Sequence, residues 1–237
     1  MDLVISILDV AISAIFAVLV LQQWIARRKP QQLLWGLAFL VWAVAVSAEL
    51  AATLQGRWTP LTYRFYYAFG ALMVAPWLGA GSIFLTASRR KALAFFILVA
   101  TLSLIGAILV FSYAIDPSLL TRTDLLGFVE VKVFPFIPVR ILIVIGNILG
   151  TLAFVGSALV SVWNFRKRIT PRDRMLGVLL IGIGGLVAAA SHSIGALGGP
   201  GLFRISELAA IGLIFGGYAL SVSAAPQPAQ GAEPVKG

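Results

Sequence analysis

RRKALAFFILVATLSLIGAILVFSYAI, from Arg89 to Ile115, is three basic residues followed by an apolar run that carries no charge. A helix needs ~20 apolar residues to cross a hydrocarbon core of ~30 Å. In lipid every backbone N–H and C=O must be satisfied within the segment, so such a run is a helix. Six further runs of this kind share the chain. The spacing predicts spans at 3–24, 32–54, 61–87, 92–115, 140–163, 175–197 and 202–223. The fold class that follows is all-α, a polytopic bundle of seven transmembrane helices occupying residues 1–223.

Composition agrees with that reading. Of 237 residues, 60% are hydrophobic and only 11% are charged, so lipid has to be the solvent for most of the surface. The net charge of +9 is a topology signal and not a nucleic-acid footprint, because the basic residues sit in the short connections between spans. Arg27, Arg28 and Lys29 follow the first span. Arg89, Arg90 and Lys91 follow the third, and Arg166, Lys167, Arg168, Arg172 and Arg174 follow the fifth. The alternate side carries Arg57, Arg64, Arg122, Lys132, Arg140 and Arg204, six against eleven. The positive-inside rule then puts the N-terminus outside and the C-terminus in the cytoplasm. Trp24 and Trp163 are expected at the inner interface and Trp58 at the outer one.

The first span lacks a basic leader and is too long for a signal peptide, so it is expected to be retained. The one long outer connection, 116–139, alternates apolar and charged residues at Val129-Glu130-Val131-Lys132-Val133. That suggests a short strand before the proline-flanked return at Phe134-Pro135-Phe136-Ile137-Pro138. The tail, 224–237, is rich in Pro, Ala and Gly and is expected to be disordered. Gly146 with Gly150, and Gly212 with Gly216, have the GxxxG spacing that lets helix backbones approach, here expected to be within the bundle.

Residue types that are missing exclude several chemistries. There is no cysteine, so no disulfide or thiolate nucleophile exists. The lysines are Lys29, Lys91, Lys132, Lys167 and Lys236, none inside a span, which removes a retinal Schiff base. The single histidine, His192, cannot supply paired haem ligands or a metal cluster. No phosphate loop or nucleophile elbow occurs. The chain is expected not to be an enzyme and to need no cofactor.

Charged residues inside spans are costly and are functional candidates. They are Asp9, Glu49, Arg64, Arg204 and Glu207, joined by Asn147 and His192. Counting ~1.5 Å per residue from the outer ends puts the six spans' polar groups in one layer about 5–10 Å deep. Arg64 is expected to pair with Glu49, and Arg204 shares a helix face with Glu207. Tyr63 and Tyr67, one turn apart, are expected to line the same cavity. His192 is the natural titrating group of the set. The same residues could form satisfied pairs that only hold the bundle in register, an outward-facing pocket for a small polar ligand, or a proton-responsive site.

The second and third spans read Trp42-Ala-Val-Ala-Val-Ser-Ala-Glu49-Leu-Ala-Ala, then Tyr63-Arg64-Phe65-Tyr66-Tyr67, then Ala75-Pro76-Trp77. This pattern resembles the seven-helix N-terminal sensor region of bacterial histidine kinases and related signalling proteins. The resemblance covers about a fifth of the chain. It implies a bacterial inner-membrane protein with the N-terminus outside. Those proteins continue into an output domain, whereas this sequence stops fourteen residues after the seventh span. The implied role is a sensor-like or accessory membrane protein that signals through a cytoplasmic or membrane partner. The alternatives are a small seven-helix transporter, or a structural subunit of a larger membrane complex.

Overall fold

Prolines open several of the helices. Pro30 and Pro60 sit in the first turn, where a missing N–H costs nothing and the fixed φ suits a helix. In the computed structural model, which describes residues 2–120, 133–166, 171–198 and 200–223, the elements are all helical. Side-chain surroundings are described for all of these except residues 2, 192–198, 200, 201, 204 and 223. The first two spans are α1 (Asp2–Arg27) and α2 (Pro30–Gln55). The third is composite: α3 (Pro60–Phe65), a π-helical segment (Tyr66–Met73) and α4 (Val74–Thr86). Then come α5 (Arg89–Ser112), the single turn α6 (Pro117–Leu120) and α7 (Ile141–Arg166). The chain closes with α8 (Arg172–Gly198) and α9 (Pro200–Ser223).

Among the described residues seven helices are long and apolar enough to cross a membrane, the composition of a multi-pass membrane protein. The expected spans match these helices, with two adjustments. Helix ends run a few residues further into the basic connections, where lysine and arginine stems reach water. The fourth span stops at Ser112 and not at Ile115, because Tyr113 turns to extended backbone. The expected strand at 129–133 lies outside the described residues except for Val133, which is buried.

Consecutive spans run antiparallel. The end of the bundle that carries Trp58 and Tyr113 is here the Trp58 end, and the opposite one the Trp24 end. Six spans close a ring in the order α1, α2, third span, α7, α8, α9 and back to α1. The fourth span, α5, packs outside that ring against α4 and the π-helical segment. Its outward residues Ile97, Leu104 and Ile108 are exposed, as lipid contact requires.

Small residues set the tightest crossings. A β-carbon on Gly150 would lie 2.4 Å from the Ala75 carbonyl and 2.5 Å from the Pro76 nitrogen. The expected GxxxG packing within the bundle therefore holds for Gly146 and Gly150. It does not hold for Gly212 and Gly216, which have no described atom within 4 Å of such a carbon. The α8–α9 seam uses other glycines: Gly177 meets the Gly217 carbonyl and Gly184 meets the Ala210 carbonyl. The helix-period reading missed this because α9 turns Gly217 inward and leaves Gly212 and Gly216 on its outer side.

Candidate functional site

The site begins with the interruption of the third span. Thr59 and Thr62 form a reciprocal capping box, with Thr62 N–H donating to Thr59 Oγ1 at 3.2 Å and Thr59 N–H to Thr62 Oγ1 at 3.0 Å. One turn later the helix widens to π geometry over Tyr66–Met73. An i→i+5 pattern at Ala71 would end on residue 76, and Pro76 has no N–H to give. The Ala71 carbonyl instead accepts from Nδ2 of Asn147, at 3.0 Å, across to α7.

Behind that widened turn lies a cavity of about 390 Å³. Its walls come from α2, the third span, α7, α8 and α9, and half of its lining is alanine, valine and leucine. The polar groups in the wall are Asn147 and Thr151 on α7 and Glu207 on α9, beside the rings of Trp42 and Tyr66. Toward the Trp24 end, Leu78 and Phe154 floor the cavity and belong to the central core with Phe16, Phe39 and Ile214. The half of the bundle beyond that floor is held by neutral hydrogen bonds. Trp35 donates to the Leu78 carbonyl at 3.2 Å and Trp77 donates to Ser103 at 3.0 Å. Gln32 donates to Gln23 at 3.2 Å.

The residues expected around one polar layer divide into five groups, Arg64 forming the last. Asn147 and Glu207 face the cavity together. Asp9 and Glu49 are fully buried on α1 and α2, and neither lines the cavity. Tyr63 and Tyr67 do stack on each other, with centroids 5.6 Å apart, but they are not in the cavity wall. They pack with Phe134, which the connection before α7 inserts between the spans with 1% of its surface exposed. The Arg140 guanidinium lies near the Tyr67 hydroxyl and over the Phe136 ring at 5.8 Å. The side chains of His192 and Arg204 lie outside the described residues, and with them the expected pairing of Arg204 with Glu207.

Arg64 corrects an expectation. It does not pair with Glu49. Its guanidinium donates to the carbonyls of Val110 and, at 2.7 Å, of Tyr113. The last carbonyls of a helix have no intrahelical partner and carry the negative end of its dipole, so a fork of N–H donors is drawn there. Trp58 is a second correction. It is 3% exposed and packs on Tyr63 and Tyr66 at 5.6 and 5.2 Å, so it is a core residue and not an interfacial anchor. Gly56, in the left-handed conformation at the end of α2, folds the chain back and carries Trp58 inward.

Tyr66, Trp42 and Thr151 are cavity residues that the sequence reading did not select. Only Tyr66 left a signal, as the middle of the aromatic run it shares with Tyr63 and Tyr67. Among the described residues no three His, Asp or Glu side chains come together as a metal-ligand set. Compared with known proteins, the chain matches no family model, and neither the curated proteins nor the solved structures give a match.

Proposed function

We propose that this protein is a sensor-like or accessory protein of a bacterial inner membrane, with its N-terminus outside and its C-terminus in the cytoplasm. It takes a small ligand in the cavity and passes its occupancy to a separate partner. The reading assigns binding to the cavity, and no catalysis. The observation that carries it is the juxtaposition of Asn147 on α7 and Glu207 on α9 across one cavity. Asn147 is tied to the third span through Ala71, and α9 is interlocked with α8. A ligand touching both polar groups therefore bridges two halves of the ring, and it can bias one packing of the bundle over another. The basic connection between α7 and α8, Arg166 to Arg174, is the natural contact with a partner or with anionic lipid.

The test is purification from native membranes in mild detergent, with mass spectrometry of whatever co-purifies. A signalling protein or complex subunit in stoichiometric amount is expected. Glu207→Gln is expected to change its yield while leaving the protein folded. A clean monomer or homo-oligomer, unaffected by Glu207→Gln, would remove the reading.

One observation favours a transporter as the second reading. The third span is interrupted at Tyr66–Met73 beside the cavity, and discontinuous helices beside a mid-bundle site are a transporter feature. The packed floor at Leu78 and Phe154 counts against it, since it would have to open. Flux in liposomes decides between the two.

A further inference from the structure

We infer that the cavity is loaded from the bilayer through a window between α7 and α8. Its occupant is an amphiphile with a hydrogen-bond-donating head, an alcohol or a primary ammonium, and a single apolar tail. The inference rests on the ligand-site reading above and names the class of ligand.

The window follows from how the two helices meet. They run antiparallel and touch where a β-carbon on Gly182 would lie 3.2 Å from Ala158, and one on Gly185 would lie 2.4 Å from the Phe154 ring. One turn further toward the Trp58 end the same seam brings Thr151 on α7 level with Ala188 and Ala189 on α8. Those residues line the cavity together with Ile148 and Leu152, so the cavity reaches the α7–α8 seam there. Ile148 is 55% and Leu152 67% exposed. Exposed aliphatic side chains in the middle of a span face hydrocarbon. An aqueous mouth there would put that surface in water, at ~25 cal/mol per Å².

The interior names the head group. The Asn147 amide must present Nδ2 to the Ala71 carbonyl, which fixes its orientation and leaves Oδ1 as the acceptor. Glu207 on α9 lines the same cavity. The Asn147 acceptor asks for a donor. The Trp42 ring in the same wall suits an ammonium through its π face. Most of the rest of the wall is aliphatic or glycine and asks for a chain. At about 390 Å³ the space is near the small end of ligand pockets, which run from ~300 to ~1,000 Å³. It fits a head and the start of one tail, with the remainder leaving through the window into lipid.

Photolabelling in native membranes tests this. The probes are a long-chain primary alcohol and the matching amine, each with a diazirine beside the head and an alkyne at the tail. Adducts are mapped by mass spectrometry. The expected result is labelling concentrated at residues 147–152 and 185–189, competed by unlabelled amphiphile. Leu152→Trp, a bulky change at a lipid-exposed position in the window, should lower it at least fivefold. Leu159→Trp, at an equally lipid-facing position past the closed part of the seam, should leave it unchanged. Labelling spread over all lipid-facing helices, with α5 as strong as the window, overturns the inference. So does labelling that Leu152→Trp does not alter. Partner capture separates the two readings. If Glu207→Gln changes capture while labelling is spread, the site stands and the membrane route falls. If neither responds, both fall.

Discussion

The side-chain amide of Asn147 donates to the carbonyl of Ala71 across 3.0 Å, tying α7 to the widened turn of the third span five residues before Pro76. Three sequence features meet in that bond: an asparagine in an apolar helix, a proline in the middle of a span, and the π geometry between them. In a membrane such an amide needs an internal partner, because no water is at hand.

Asn147→Ala should therefore lower the stability of the purified protein by about 0.6–1.7 kcal/mol, the range of measured interhelical hydrogen bonds in membranes. Asn147→Asp keeps the shape but has no N–H, so it should lose at least as much. Thermal denaturation in detergent, read by size-exclusion chromatography, measures both. Wild-type stability in the Asp variant would mean that the donated bond is not what holds α7 there.

The two GxxxG pairs should behave in opposite ways. At Gly150 an added β-carbon meets backbone atoms of Ala75 and Pro76 at 2.4–2.5 Å, and backbone cannot step aside as a side chain does. Gly150→Ala should cost ~1–3 kcal/mol, the usual penalty for overpacking. Gly216→Ala meets no described atom and should gain roughly 0.5–1 kcal/mol from helix propensity. The same melting assay checks the contrast. Equal losses at the two positions would mean that α9 also packs through Gly216.

Arg64 and Glu49 should be energetically independent. Arg64→Gln removes two charge-assisted bonds to the end of α5, each worth about 1.5–3 kcal/mol at most. Arg64→Lys keeps the charge but not the fork, so it should recover only part. In a double-mutant cycle with Glu49→Gln the losses should add within ~0.5 kcal/mol. A coupling well above that would restore the ion pair expected from the sequence.

These cases mark what the sequence carries and what it does not. Spans were legible because lipid leaves a helix no alternative and proline and basic residues punctuate the ends. Gly146 and Gly150 were readable because the spacing describes a backbone approach. Which polar group meets which was not legible. Arg64 and Glu49 share a depth, but depth fixes only one coordinate, and the rotation of each helix about its axis fixes the other. That rotation turns Arg64 toward α5. It also turns Tyr66, and not Tyr63 or Tyr67, into the cavity. The candidate site was half visible: Asn147 and Glu207 stood out as costly in lipid, whereas Thr151 and Trp42 look like ordinary span residues.

Outside the spans, Asp116 gives a pH dependence with a definite sign. Its carboxylate accepts from the Ser118 N–H at 2.9 Å at the start of α6, and its hydrogen bonds with Ser118 hold its pKa below the ordinary aspartate value. The group is charged more readily in the folded chain than in the unfolded one. Its contribution is thus present above the unfolded pKa and fades as pH falls through the folded one. A carboxyl ¹³C titration of Asp116 should show a midpoint below that of a free aspartate. Ser118→Ala, which keeps the backbone donor, should raise it only part of the way. An unshifted midpoint in the wild type would mean that α6 is not capped in this way.

Phe134 is where the long connection grips the bundle. Its ring lies 4.7 Å from that of Tyr67, 5.8 Å from Tyr63 and 6.1 Å from Tyr113, with Val139 and Leu120 in the same buried cluster. Removing such a ring usually costs ~3–5 kcal/mol through lost burial and the hole left behind. Phe134→Ala should therefore destabilise more than Asn147→Ala. It should also speed proteolysis of the connection, since Phe134 is the large side chain most completely buried on the described part of that segment. Phe134→Leu refills part of the volume and should restore most of the protection. If the Ala variant is as stable and as resistant as wild type, the connection is held by residues other than Phe134.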